Sequence, residues 1–296
     1  MHFILTHDDF DGFTCATIRK HYLLDLGYKE DQMMIKHIQY GKDFDIELQK
    51  GDAVDILDFS YSLETMENLS RILRERLFHV DHHDVDSRIG HIPGCNLFRG
   101  GSATMHLWTY LYDACPNKVI PMLVRYAHDY DSWTHALEKT HYINAYLITN
   151  KKGRDQKLMD ALYNNFEVES EQVMTIGKFI VDNVDEWCSR TFKDADRLSY
   201  CKIDGFKTLF LNSSDNTNRS QIADRGMKLL NVPNAIVYCI FHDGVLFNVR
   251  GTGAGFNVGE FCSRYGGGGR QDTGAFKTSL EQGLQLIQRA VSENVL

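Results

Sequence analysis

Residues 54–83 read V-D-I-L-D-F-S-Y-S-L-E-T-M-E-N-L-S-R-I-L-R-E-R-L-F-H-V-D-H-H. An apolar run at 54–59 predicts a strand. Residues 62–76 then carry Leu63, Met66, Leu69, Ile72 and Leu73 on one helical stripe. A second apolar run, 77–80, closes a strand–helix–strand unit of the kind that builds parallel sheets. Both strands run into ionisable residues: Asp58 after the first, Asp81-His82-His83 after the second. In an open parallel sheet, residues just past a strand's C-terminal end face the binding crevice.

The same texture extends in both directions. Upstream, 2–5 predicts a strand, and a helix from about Thr14 stops at Gly27, a suitable C′ residue. M-M-I-K-H-I, 33–38, predicts a further strand. Downstream, 101–128 is helical with Pro116 and Pro121 as punctuation, and 155–194 is a charged helical stretch. After Leu198 the pattern changes to strands at 208–211, 235–241 and 245–249, with a helix near 221–230. A glycine-rich loop and a final helix from about Leu280 follow. The expected fold is α/β: an N-terminal parallel-sheet domain (1–150), a helical connector (151–198) and a smaller C-terminal α/β domain (199–296).

With 43% hydrophobic and 24% charged residues among 296, the chain is not a disordered one. Its 32 Lys+Arg against 40 Asp+Glu give a formal net charge of −8, which argues against gripping long nucleic acid by bulk charge. The acidity is uneven. Residues 199–296 carry 10 basic and 8 acidic side chains, a net of +2, so 1–198 carry 22 against 32, a net of −10. Seven scattered cysteines without a C-x-x-C pair suit reduced thiols in a cytosolic protein. The opening H-F-I-L is strand-like rather than a leader, and no apolar stretch approaches the roughly 18 residues of a membrane span. No membrane association is expected.

Four clusters carry chemistry. T-H-D-D-F-D-G sets His7, Asp9 and Asp11 at alternate positions before Gly12, a donor set for a hard cation; N-capping carboxylates are the alternative. Asp58 ends an apolar strand, where an ionised carboxylate must be paired or bind metal. Asp55, earlier in the same strand, is expected to face solvent at a sheet edge. Asp81-His82-His83 joins two imidazoles to a carboxylate. Side chains alternate along a strand, so only one of the two imidazoles is expected to ligate directly. A-H-D-Y-D-S-W (127–133) adds Asp129 and Asp131. Trp108, Trp133 and Trp187 are expected to be core or interface residues.

These four clusters, in this order, resemble the DHH phosphoesterases, named for the Asp-His-His held here by 81–83. Residues 250–276, R-G-T-G-A-G-F-N-V-G-E-F-C-S-R-Y-G-G-G-G-R-Q-D-T-G-A-F, are similar to the glycine-rich end of the associated DHHA1 domain. The short H-x-D-x-D-G form of the first motif is most similar to the nanoRNase-like branch. The resemblance implies two Mn²⁺ ions, with Mg²⁺ or Co²⁺ as substitutes, in a cleft between the domains. His7 and Asp9 would hold one ion and Asp11, His82 and Asp129 the other, with Asp58 bridging. Asp131 is the neighbouring alternative to Asp129. His83 would lie beside the scissile phosphate, and Asp81 would orient an imidazole.

In the second domain Arg250, Gly266, Gly267, Gly268, Gly269 and Arg270 would receive substrate phosphate, since glycine N–H groups can cradle an anion and arginine forks onto oxygens. A glycine-rich hairpin with surface arginines is the alternative. Arg270 stands where the family usually has His. The implied activity is hydrolysis of short oligonucleotides, or linear or cyclic dinucleotides, to nucleoside monophosphates, and the resemblance allows a homodimer. A RecJ-type single-strand exonuclease and a non-catalytic nucleotide-binding regulator are the competing functions.

Overall fold

A computed structural model describes residues 1–39, 42–115, 117–193, 198–213, 218–253 and 255–292. Pro116, the end of the expected connector at 194–197 and Ala254 in the glycine-rich motif therefore lie outside the described residues. The chain forms two compact units, Met1–Ile180 and Val181–Leu296.

The first unit runs β1 (His2–His7), α1 (Phe10–Asp25), β2 (Met33–Ile38), β3 (Ala53–Leu57), α2 (Leu63–Leu73), β4 (Leu77–Asp81) and β5 (Cys95–Leu97). Helices α3 (Ala103–Tyr112), α4 (Met122–Asp131) and α5 (Thr140–Ile148) follow. A 3₁₀ turn (Thr149–Arg154), α6 (Gln156–Asn164) and α7 (Phe166–Thr191) complete it, with α7 running across the unit boundary. The five strands form one sheet in the order β2-β1-β3-β4-β5, every neighbouring pair parallel.

Alternation along the strands fills both faces. Phe3, Leu5, Val54 and Ile56 pack with Met66, Leu69 and Leu73 of α2, while Ile4, Leu57 and Val80 pack with Ala16, Ile18, Leu107 and Trp108 of α1 and α3. Of the α2 stripe, Ile72 falls outside the contact and is 61% exposed. Helix α1 begins at Phe10, a full turn before the expected start, because Asp9 is its N-cap and accepts from Gly12 N–H at 2.9 Å. Asp55 corrects a second expectation. Strand β3 is the centre of the sheet, and Asp55 is 1% exposed, held by a bidentate Arg19 (2.7 and 3.1 Å) and by His2 (2.6 Å). A buried carboxylate survives there because a guanidinium neutralises it.

The second unit contains β6 (Ser199–Ile203), β7 (Phe206–Asn212), α8 (Arg219–Leu230), β8 (Asn234–Phe241), β9 (Gly244–Gly251), α9 (Val258–Ser263), β10 (Gly268–Gly269), β11 (Thr273–Thr278) and α10 (Leu280–Ser292). Its sheet has the order β10-β11-β9-β8-β7-β6, mixed, with β7–β8 parallel. One face packs on α9 and α10 and the other on α8 and the end of α7. Among the described residues no helix is long and apolar enough to cross a membrane.

Candidate metal centre

The ends of β1, β3 and β4, three adjacent strands, deliver the expected side chains to one place. His7 is the last residue of β1. The chain then turns so tightly that a Cβ on Gly12 would stand 2.1 Å from the His7 carbonyl oxygen, so that position admits only glycine. Asp9, capping α1, accepts from His7 Nδ1 at 2.9 Å. Asp11 sits in the first turn of α1 and aims at the start of α3, where its two oxygens accept the Ala103 and Thr104 N–H groups at 2.8 and 2.9 Å. Helix N-termini favour such anions.

Asp58 follows β3 directly. Its N–H extends the ladder to Val80 O (2.8 Å), while its φ of +65° turns the carboxylate back over the strand ends. Left-handed backbone is uncommon outside glycine, though Asp and Asn tolerate it, and such strain gathers at functional sites. The side chain is 0% exposed, and neither carboxylate oxygen has a hydrogen-bond partner among the described residues.

Strand β4 ends at Asp81, so the alternation expected for His82 and His83 does not apply to them. Asp81 Oδ1 accepts the N–H groups of both, at 2.8 and 3.0 Å, and His83 Nδ1 at 2.8 Å. Oδ2 takes the Ser60 hydroxyl at 2.6 Å. Asp81 thus folds the turn and fixes the His83 ring. The two imidazoles lie 4.5 Å apart, and both approach Asp58. His82 Nδ1 donates to the Gly101 carbonyl at 2.8 Å, which directs Nε2 at three carboxylates: Asp58 (3.3 Å), Asp131 (3.5 Å) and Asp11 (3.6 Å). A histidine whose other nitrogen is tied to a carbonyl is the usual arrangement of a metal ligand.

Asp131, the last residue of α4, is the fourth-cluster carboxylate in this group; Asp129 is not. The four bonds into Asp129 give the reason. It accepts Thr134 Oγ1 and Ala136 N–H at 2.7 Å, Leu137 N–H at 3.1 Å and the Thr140 hydroxyl, and so ties down the loop after α4. Burial alone would raise its carboxyl, but these bonds together hold it below the usual range.

Three overlapping sets of ligand atoms, each within 4.8 Å, result: His7–Asp9–Asp58, Asp58–His82–His83 and Asp11–His82–Asp131. Electrostatics divides them. Burial, with Asp131 and Asp9 nearby, pushes the Asp11 carboxyl up to about 8, and burial beside Asp11 and Asp9 raises that of Asp58 well above the ordinary value. For Asp9 burial acts in the same direction, yet His7 holds its carboxyl low. No Lys or Arg pairs with Asp9, Asp11 or Asp58 among the described residues. The set therefore lacks a positive charge that a divalent cation would supply. Nitrogen and carboxylate donors with no thiolate suit Mn²⁺ or Mg²⁺.

In the second unit Arg250 on β9 lies in register with Thr273 of β11, and Arg270 N–H donates to the Thr273 carbonyl at 2.6 Å. The two arginines thus share one end of the sheet. The glycine run between them is largely structural. Gly266 and Gly267 spend their N–H groups on the Ser263 and Cys262 carbonyls of α9. A Cβ on Gly267 or Gly269 would fall 2.1 or 2.2 Å from a β11 carbonyl. A cradle made of four successive glycine N–H groups is not what the backbone forms.

Sequence reasoning passed over Ser60 and Gly101, and preferred Asp129 to the alternative it named, Asp131. Ser60 carried no signal; Gly100-Gly101 did, since adjacent glycines mark a turn, and both here take a positive φ near +70°.

Neither a family model nor a curated protein sequence matches the chain. Solved structures do match in fold. The pGpG-specific phosphodiesterase PggH of Vibrio cholerae is 15% identical with a TM-score of 0.54, covering 99% of this chain and 98% of its own. The DHH domain of a member of a ribosomal-protein family gives 11% identity and a TM-score of 0.62 over 99% and 86%. Exonuclease RecJ bound to manganese gives 12% and 0.54 over 99% and 89%. This chain has the DHH fold.

Proposed function

We propose that the protein is a divalent-metal-dependent phosphodiesterase that hydrolyses short oligonucleotides, or linear or cyclic dinucleotides, to nucleoside monophosphates. The observation that carries this reading is Asp58: a fully buried carboxylate with neither oxygen hydrogen-bonded among the described residues, at the meeting point of two imidazole–carboxylate sets. Fold neighbours that are a phosphodiesterase and a manganese-bound exonuclease support it, as does RecJ of Thermus thermophilus in complex with Mg²⁺.

In this reading His7 and Asp9 would hold one divalent ion and Asp11, His82 and Asp131 a second, with Asp58 within reach of both groups. When bound, such ions would activate water at neutral pH and offset negative charge on the phosphoryl oxygens. The chain's own part is placement. Asp81 fixes the His83 ring through Nδ1, so that Nε2 is the atom offered to a phosphoryl or leaving oxygen. The α3 N-terminus keeps Asp11 in position, and Gly101 sets the orientation of His82. In the second unit Arg250 and Arg270 are the candidate receivers of a terminal phosphate or base, since forked donors suit such oxygens. The net of −10 over residues 1–198 disfavours long polyanions.

The test is release of mononucleotide in Mn²⁺ from a dinucleotide, a cyclic dinucleotide and a long single strand, with Asp58→Asn and His82→Ala as controls. Dinucleotide turnover lost in both variants is expected. Activity surviving in both refutes the assignment, and faster turnover of the long strand favours the exonuclease instead.

A further inference from the structure

Between the two ligands His7 and Asp9 stands Asp8, whose side chain is 1% exposed and turned away from the cluster into a cage of its own. Arg154 grips it with two bonds, Nε to Oδ1 at 2.8 Å and Nη2 to Oδ2 at 2.7 Å. Lys151 Nζ lies 2.8 Å from Oδ2, and Gln39 Nε2 donates to the same oxygen at 2.6 Å. The two cations come from one short segment, the 3₁₀ turn Thr149–Arg154, far along the chain from Asp8.

That segment is seated with little tolerance. A Cβ on Gly153 would lie 1.8 Å from Phe13 Cδ2, so only glycine lets the turn press against α1, the helix that Asp9 caps. Lys151 is held at φ +57°, a strained setting for lysine. Lys151 and Arg154 stay 40% and 48% exposed while their charged groups close on the buried Asp8. One carboxylate facing two cations is more than neutralisation needs. The excess makes sense if the anchor must hold the His7–Asp8–Asp9 backbone against the repulsion among Asp9, Asp11 and Asp58.

We propose that the turn 149–154 is a clip for the metal loop. Asp8 is a positioning residue: gripped by Arg154 and Lys151, it fixes the separation and aim of His7 and Asp9, and so sets the divalent-cation affinity of that side of the cluster. This inference rests on the metal reading above and goes beyond it by naming residues that touch neither metal nor substrate.

The experiment titrates Mn²⁺ alone into the metal-free full chain by calorimetry, for wild type, Asp8→Asn, Arg154→Gln, Arg154→Lys and the Lys151→Gln/Arg154→Gln pair. Thermal unfolding without metal reports on the fold, and KM is measured at saturating Mn²⁺. Asp8→Asn and the double variant should lose about 10- to 100-fold in Mn²⁺ affinity, the usual effect of removing a ligand's support. Arg154→Lys should recover part of the loss, since lysine supplies charge without the fork. KM should not move. Mn²⁺ affinity equal to wild type in folded Asp8→Asn and double variants overturns the proposal, as does a raised KM at saturating Mn²⁺ with affinity intact, which would make the clip a substrate contact. If Asp8→Asn does not fold, the half-exposed Arg154→Gln decides alone. Failure of wild type to bind Mn²⁺ defeats the metal reading itself, a distinguishable result.

Discussion

Asp58 offers a sharp test because stability and function should move in opposite directions. Asparagine is the substitution of choice: it keeps the shape and is at home at φ +65°, whereas alanine would add backbone strain. In the metal-free protein the carboxylate is fully buried with neither oxygen hydrogen-bonded among the described residues, with His82 Nε2 3.3 Å away and Asp9 and Asp11 nearby. Leaving a buried polar group unsatisfied costs on the order of 1–3 kcal/mol, and more when it is charged. Asp58→Asn removes the charge and keeps one acceptor, so metal-free stability should rise by about 1–3 kcal/mol. For a protein of this size that is roughly 2–10 °C in Tm. Wild type should gain about 2.7 kcal/mol in Mn²⁺ at a hundred times its Kd. In the variant that increment should collapse, and with it mononucleotide release. Calorimetric unfolding in EDTA and in Mn²⁺ reads both. A metal-free variant less stable than wild type, or an undiminished Mn²⁺ increment, would show that Asp58 is satisfied within the protein and refute the reasoning.

The two carboxylates at the end of α4 should separate cleanly. Asp131→Asn should abolish Mn²⁺-dependent activity with little effect on unfolding, whereas Asp129→Asn should cost about 2–3 kcal/mol by weakening charge-assisted bonds to the 134–140 loop, read by urea denaturation. Arg19→Ala strands the Asp55 carboxylate in the sheet centre and should destabilise by about 3–5 kcal/mol; a loss under about 1 kcal/mol would mean that His2 suffices. His79 is buried and hydrogen-bonded to Ser60, and burial depresses its pKa to about 4 despite the opposing charge of Asp81. The unfolded chain binds its proton first, so its contribution is complete above about pH 6.5 and is lost as pH falls toward 4. The shift is worth about 3 kcal/mol by linkage. Stability measured from pH 7 to 4 should fall less steeply in His79→Asn.

Much of the site was legible because its residues obey a rule of position. His7, Asp58 and Asp81-His82-His83 each follow an apolar run, and a parallel sheet gathers such ends at one edge. What the sequence could not reveal was which carboxylates folding itself consumes. Asp129 and Asp131 are equivalent in composition and spacing, yet the loop after α4 claims one with four bonds and leaves the other to the cluster. Asp55 reads as an edge residue until its distant partner Arg19 is seen, and no local pattern announces that pairing. The helix after the first motif begins early for a similar reason, since Asp9 serves as a cap as well as a ligand candidate. In the second unit four consecutive glycines read as an anion cradle, but close packing of β10 and α9 on β11 already demands several of them. Ile72 lies at the margin of the helical stripe that Met66, Leu69 and Leu73 bury, so it turns to solvent although its neighbour Leu73 is in the core.

The parallel sheet also acts as a gauge. Its strands are spaced by backbone hydrogen bonds at about 4.8 Å, and His7, Asp58, His82 and His83 stand at or just past the tips of three neighbouring strands, β1, β3 and β4, while Asp11 and Asp131 come from α1 and α4. The separation of the strand-borne candidate ligands is therefore written into main-chain geometry that side-chain substitution cannot easily reset. Exchanging Mn²⁺ for a larger ion such as Ca²⁺ should find a frame that does not widen to suit it. Discrimination among cations in this protein then becomes a property of the sheet's pitch as much as of the side chains mounted on it.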